Sequence, residues 1–320
     1  KFVWTPQEHL KLNFLKTDLE RSRYILYRFA YKYFPINYIT DIAPLQILVE
    51  PTSVCNLRCP MCFQSDKSFT VREYMGKMNL ELFEKIWKQI NEYCIPAVGF
   101  GSRGESFIHS NFDDIMDIVS NKKHSQLHDL KINTNATRLN EKRIRKLFNS
   151  GFNSIVVSAD SENKSLYEEF RKGAKFEEVV ENVSLLKHIR DTEYSNKGIE
   201  IRVSGVCVDN RQKPKPFYDF WSKYSDNVVY VKPIERWNTY KNKLRTDQMD
   251  PCTFLWEKMF IWHDGVVNTC DEDYKSYLSP GNIMEKNILE LWNSNDMKNK
   301  RKIHLEHKRN SLEPCNRCSS

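Results

Sequence analysis

The chain has 320 residues, is 40% hydrophobic and 28% charged, and carries a net charge of +7, which allows one large α/β domain and a smaller module. No apolar run reaches the roughly 20 residues of a membrane span, and the mild basic excess fits a solvated surface that favours anionic small partners rather than a nucleic-acid interface. Nine cysteines, at 55, 59, 62, 94, 207, 252, 270, 315 and 318, make an odd set with two tight groups, which excludes a secreted disulfide framework and points to metal binding in a reducing, cytoplasmic setting.

The chain opens Lys1-Phe-Val-Trp-Thr, with no signal-peptide pattern. Thr5-Pro6 is a helix cap followed by proline at the first helical position. Leu12, Leu15, Leu19, Leu26, Phe29 and Tyr33 then recur in steps of three, four or seven, so residues 5–34 are expected to form a helix packed on the main domain.

From residue 45 the pattern alternates. Apolar strand candidates are 45–50, 96–101, 129–134, 153–159, 199–208 and 227–232. Amphipathic helices are expected near 79–93, 111–122, 140–150, 162–171, 175–190 and 214–224. Six βα units in succession imply a parallel sheet with right-handed crossovers, either open and doubly wound or an incomplete barrel. In both, the loops at the strand C-termini carry the chemistry.

Those loops are rich in polar groups. The first holds Cys55-Asn-Leu-Arg-Cys59-Pro-Met-Cys62. Three thiolates are one short of a closed structural zinc site, whereas a cubane held by three cysteines leaves one iron open. The later loops hold Gly101-Ser-Arg-Gly104-Glu105, Asn133-Thr-Asn135, Ser158-Ala-Asp160 and Cys207-Val-Asp209.

Beyond residue 233 the periodicity changes, and a domain boundary is placed there. Cys252, an aromatic segment, the turn His263-Asp-Gly265, a short strand at Val266 and then Cys270 read as a hairpin that brings two thiols together. A helix over roughly 286–304 leads to Cys315-Asn-Arg-Cys318. Four thiols make a complete ligand set for a closed second cluster or a structural zinc.

Cys55, Cys59 and Cys62 resemble the Cx3CxφC motif of the radical S-adenosylmethionine (radical SAM) enzymes, with Met61 at the usually aromatic φ position. Gly104-Glu105 is similar to the family's Gly-Glu segment, which binds the methionine amino group, and Thr134-Asn135-Ala136 to its Thr-Asn-Gly. Ser158, Asp160, Tyr167 and Arg171-Lys-Gly173 resemble its Ser-x-Asp…Tyr…Arg-x-Gly stretch, in which serine and arginine reach the methionine carboxylate. Asp264-Gly265, Gly281-Asn282-Ile283, Leu289-Glu-Leu-Trp292 and Cys315-x2-Cys318 resemble the SPASM/twitch extension. A full SPASM module holds two auxiliary clusters; Cys252, Cys270, Cys315 and Cys318 match the shorter, single-cluster twitch type.

The resemblance implies a partial (β/α)6 TIM-like barrel at 45–233, an N-terminal helical extension at 1–44 and a twitch/SPASM-like domain at 234–320. It also implies two [4Fe–4S] clusters, S-adenosylmethionine and a reductant such as flavodoxin or ferredoxin. The expected activity is hydrogen abstraction from a small polar or anionic substrate, such as a sugar, nucleotide sugar or aminocyclitol. The outcome would be dehydrogenation, or epimerisation with Cys207 returning a hydrogen atom. Glu235 and Arg236, after strand six, are the substrate-binding candidates. The alternatives are radical modification of a ribosomally made peptide and, remotely, a non-catalytic electron carrier. Peptide-modifying relatives often carry an extra N-terminal leader-binding domain, and only 44 residues precede strand one here.

Overall fold

The computed structural model describes residues 5–121, 123–232, 236–245, 247 and 249–319. Its N-terminal segment folds as two helices instead of the expected one. α1 (Pro6–Phe14) starts at a capping box of Thr5 with Glu8. α2 (Asp18–Tyr33) starts at a second box, Thr17 with Glu20, and Leu15 between them is extended. A new cap satisfies the backbone N–H groups that a break exposes, which makes the break cheap.

The leucine stripe is not the buried one. Leu19 and Leu26 are 59% and 67% exposed, while Tyr24 and Tyr27 are 2% and 7% exposed. The tyrosines win because their hydroxyls find partners where their rings are buried. Tyr27 donates to Asp129 at 2.7 Å and Tyr31 to Glu257 at 2.8 Å. Asp129 also takes ion pairs from Lys11 and Arg28. These partners begin or precede strands, so α1 and α2 close the N-terminal end of the sheet.

Six parallel strands follow: β1 (Gln46–Val49), β2 (Ala97–Phe100), β3 (Asp129–Thr134), β4 (Ser154–Ser158), β5 (Glu200–Val206) and β6 (Asn227–Val231). The helices between them are α3 (Leu80–Glu92), α4 (Phe112–Asn121), α5 (Glu141–Asn149), α6 (Lys164–Phe170), α7 (Phe176–Glu193) and α8 (Pro214–Trp221). Asparagine opens three of them: Asn79, Asn140 and Asn163 each accept the first-turn N–H of α3, α5 and α6.

Burial alternates along β3 and β5. Ile132, Ile201 and Val203 are fully buried, in one core with Ile86, Trp87, Ile144, Val183 and Trp221 from the helices. The alternate residues, including Asn133, Ser204 and Val206, face the other side and line a cavity there. A period of two therefore assigns one face to packing and the other to function.

β7 (Lys258–Ile261) runs parallel to β1, and β8 (Val266–Asn268) and β9 (Gly281–Asn282) continue antiparallel. The described strands form one sheet in the order β6-β5-β4-β3-β2-β1-β7-β8-β9, which does not close on itself. This is the expected partial barrel with a C-terminal addition. A short helix α9 (Phe254–Glu257) leads into β7. The single helix expected over 286–304 is two, α10 (Ile288–Trp292) and α11 (Asn295–Leu305), because Ser294 caps a fresh start. No helix among the described residues is long and apolar enough to cross a membrane.

Candidate functional site

At the C-terminal ends of the strands lies a cavity of about 370 Å³. Cys55, Cys59, Met61 and Cys62 line it from the loop after β1, Gly104 and Glu105 from the loop after β2, and Asn135 from the loop after β3. Ser158, at the end of β4, and Arg171, just after α6, complete the set expected from the sequence. Residues more than 110 positions apart thus share one wall, which only the parallel βα order achieves.

Each is held in place by its surroundings. Gly104 is required by close approach: a Cβ there would lie 2.1 Å from the Thr52 carbonyl oxygen and 2.6 Å from that of Val54. Glu105 is 3% exposed. Its carboxylate accepts from the Asn135 backbone N–H at 2.7 Å, the Thr134 hydroxyl at 2.9 Å and the Phe107 N–H at 3.3 Å. Burial pushes its pKa up and these donors pull it back, leaving it raised. A cationic ammonium is the partner that would relieve such a group. The Asn135 amide lies 3.9 Å from Cys55 Sγ and 3.0 Å from the Asn56 side chain, tying the third loop to the cysteine loop. Gln64, beside the last cysteine, donates to the carbonyls of Ser53 and Arg103, both at 2.6 Å.

A buried ion pair, absent from the sequence reading, lies beneath this wall. Arg103 donates from Nε and Nη2 to the two oxygens of Glu50, each at 2.7 Å, and both residues are buried. The same guanidinium donates to the Tyr274 carbonyl at 2.8 Å and sits 4.1 Å from the Trp262 ring centroid. His263 Nδ1 stands 3.3 Å from Glu50. Burial alone would raise the Glu50 pKa, but Arg103 brings it down to about 2.

Arg171 is less free than its expected role requires. Its Nε lies 2.6 Å from Asp160 Oδ2, and Nη2 donates to Oδ1 at 3.1 Å. The same guanidinium partly offsets the rise that burial causes in the Cys59 thiol pKa. It therefore bears on the cysteine loop as well as the cavity.

The structure brings Cys252, Cys270, Cys315 and Cys318 together around a second cavity of about 280 Å³, with His304, Arg309 and Lys300 in its wall. Burial pushes the thiols of Cys252 and Cys270 up, and those of Cys55 and Cys315 to about 12. Such thiols stay protonated until a metal displaces the proton. Among the described residues no three His, Cys, Asp or Glu side chains converge closely enough to hold a single metal ion. A cubane makes no such demand, because each thiolate binds its own iron. Both cysteine groups therefore fit a cluster: Cys55, Cys59 and Cys62 with one iron left for another ligand, and the other four closed.

Three expectations are not met or fall elsewhere. Cys207 does not line the cavity. Its Sγ sits 3.7 Å from the Asp209 carbonyl and beside Tyr230, whose ring stacks on Phe217 of α8 on the helix side of the sheet. Val206 lines the cavity, so the alternation of the strand puts the next side chain, Cys207, on the opposite face. Glu235 lies outside the described residues, and Arg236 opens a 3-10 turn, Arg236–Lys241, with its side chain likewise outside them. In their neighbourhood Lys232, following β6, lines the cavity, and Asp271, next to Cys270, enters it from the C-terminal domain. Sequence adjacency to a cysteine ligand was the available signal for Asp271. Ser204 and Arg103 carried none beyond their place at or after a strand end.

Comparison with known proteins follows the same outline. Residues 49–196 match the radical SAM superfamily, and residues 252–319 match SPASM, an iron–sulfur cluster-binding domain. A "Tungsten-containing aldehyde ferredoxin oxidoreductase cofactor-modifying protein" of Pyrococcus furiosus is 26% identical over 78% of this chain and 80% of its own. Among solved structures, BtrN in complex with AdoMet and 2-DOIA is similar at a TM-score of 0.59 and 20% identity, covering 86% of this chain and 92% of that one. Streptococcus suis SuiB bound to precursor peptide SuiA is similar at 0.61 and 16%, covering 87% and 69%. At these identities the structures speak to fold. The first family match brings S-adenosylmethionine and a [4Fe–4S] cluster, and the second brings further iron–sulfur binding. Two matches that between them take in both cysteine groups leave one assignment: the chain belongs to the radical SAM superfamily and carries a C-terminal SPASM domain.

Proposed function

We propose that this enzyme dehydrogenates a small polar substrate held between the barrel mouth and the SPASM domain. The observation that carries this reading is the composition of the cavity wall. Its cysteines are Cys55, Cys59 and Cys62, all needed by the cluster, while Lys232 and Asp271 offer one charge of each sign. Epimerisation calls for a hydrogen donor on the face opposite the abstraction, and Cys207 points away.

When bound, S-adenosylmethionine on the first cluster supplies a hydrogen-abstracting radical and the second cluster supplies a one-electron store. The chain's own residues do the rest. Glu105 would hold the methionine ammonium through its buried carboxylate, with Ser158 as a neutral donor and Arg171 as a charge partner for the carboxylate. Asn135 and Met61 would border the nucleoside. Asp271 would accept the proton a hydroxyl loses as its carbon becomes a carbonyl, and Lys232 would anchor an anionic or hydroxylated end. The division into an extension at 1–44, a barrel at 45–233 and a cluster domain at 234–320 belongs to the same proposal.

The relative covered over most of its length is named for modifying a cofactor, and the BtrN structure holds 2-DOIA; both support a small-molecule substrate. The likeness to SuiB with its precursor peptide supports a peptide as the second reading. Anaerobic incubation with S-adenosylmethionine and dithionite separates the two. Aminocyclitols, sugars or nucleotide sugars are expected to accelerate 5′-deoxyadenosine release, with one carbonyl formed per molecule released. Acceleration by leader-bearing peptides alone would overturn the proposal.

A further inference from the structure

Two buried cations, Lys300 and Arg309, stand in the wall of the smaller cavity. Lys300 is committed to the protein: its Nζ donates to the Leu278 carbonyl at 2.7 Å and pairs with Asp296. Arg309 is not. It is 3% exposed, yet among the described residues its guanidinium makes no hydrogen bond and no ion pair, and its Nε is a buried donor without a partner. A guanidinium keeps its charge when buried, so one without a counter-ion is costly and calls for an explanation.

The cavity supplies one. Asp273, in the same wall, is engaged elsewhere: it accepts from the Tyr240 hydroxyl at 2.5 Å and from the N–H groups of Leu278 and Tyr277 at 2.7 and 3.0 Å. What Arg309 does share the cavity with is Cys252, Cys270, Cys315 and Cys318. Its place among them is fixed by the backbone. Leu312 joins the 3-10 turn Arg309–Ser311 to the turn Cys315–Arg317, since its N–H donates to the Arg309 carbonyl at 3.1 Å and its carbonyl accepts from the Asn316 N–H at 2.8 Å. The Cys252 N–H is taken by His304 Nδ1 at 3.1 Å, which ties that ligand to α11, the helix that leads to Arg309. Burial drives the Cys252 and Cys315 thiols up, and the Arg309 charge opposes that rise in both.

We propose that Arg309 is the counter-ion and hydrogen-bond donor of the second cluster, and that it raises the reduction potential of that cluster. A cubane bound by four thiolates is an anion that becomes more negative on reduction, so a fixed cation and its N–H donors favour the reduced state. Arg309 is then a positioning residue, acting on the electron store rather than on substrate. The inference rests on the reading of Cys252, Cys270, Cys315 and Cys318 as cluster ligands.

The test uses the full chain with alanine at 55, 59 and 62, which leaves the second cluster alone. This protein is reconstituted anaerobically and titrated with dithionite while the reduced cluster is followed by electron paramagnetic resonance. Arg309→Met, similar in length and uncharged, should lower the midpoint potential at unchanged iron content. Arg309→Lys, which restores the charge, should recover part of the shift. Loss of the cluster in Arg309→Met but not in Arg309→Lys would equally support a counter-ion. An unchanged potential in Arg309→Met would overturn the proposal, as would loss of the cluster in both variants, which would mark a role in packing alone. Zinc or no metal in the starting protein would instead overturn the ligand reading.

Discussion

Gly104 shows how a single missing side chain can shape a site. It carries no functional group, yet the loop after β2 can reach the cysteine loop only because nothing projects from its Cα toward the Thr52 and Val54 carbonyls. Gly104→Ala should destabilise the fold by about 1–3 kcal/mol, as overpacking against fixed backbone does, with a lower urea midpoint and weaker cluster retention. Glu105 depends on the same approach. Glu105→Gln keeps the shape but removes the charge, so the dissociation constant for S-adenosylmethionine should rise about tenfold or more, given a loss of roughly 1.5–3 kcal/mol for a charged hydrogen bond. Equilibrium binding checks this, and unchanged affinity would remove Glu105 from the cofactor site. At this scale the sequence was informative where a residue binds a ligand and silent where it binds another residue. The cysteines, Glu105 and Ser158 were readable from their spacing after strands. That Arg171 pairs with Asp160 was not, because an arginine's partners depend on which turn of a neighbouring loop it meets.

Among elements, the strand–helix alternation was legible almost throughout, since β1, β3 and β5 carry a two-residue period, β2 and β4 are short apolar runs, and the helices between them carry apolar faces. The errors came where local caps overrode a longer pattern. Thr17 and Ser294 each start a second helix inside a stretch whose spacing alone favours one. The junction between the barrel and the SPASM domain was also hidden. The Glu50–Arg103 pair joins the ends of β1 and β2 to His263 and Tyr274 across more than 150 residues of sequence. Its contribution depends on pH in a defined direction. The folded pKa of Glu50, about 2, lies below its ordinary 4.5, so the stabilisation is complete above about pH 4.5 and fades as pH falls toward 2. A shift of that size corresponds to something on the order of 3 kcal/mol. Thermal melts should therefore show acid destabilisation in this window, and Glu50→Gln should flatten it while lowering stability at pH 7. An identical acid profile in the variant would show that the junction contributes nothing to it.

For the whole molecule, two cysteine groups of different character adjoin one sheet. Cys55, Cys59 and Cys62 open onto the larger cavity; Cys252, Cys270, Cys315 and Cys318 surround the smaller. Reconstituted protein should carry roughly eight irons, about four per cluster. Alanine at 55, 59 and 62 should leave about four and abolish 5′-deoxyadenosine formation, whereas zinc in the C-terminal site would refute a second cluster. The pairing of β7 with β1 bears on a different property, the way the protein behaves when incomplete. β1 is hydrogen-bonded to β2 on one side and to β7 on the other. Without the C-terminal third, the strand that feeds the cysteine loop becomes a bare sheet edge with an apolar face, Ile47 and Val49, alongside it. Exposed edges of this kind recruit other strands. A chain cut after residue 232 should consequently form aggregates rather than a smaller working barrel, and a short strand-breaking change such as Phe260→Pro should do the same to the intact chain. The SPASM domain is thereby also an edge guard, a duty it performs before any iron arrives.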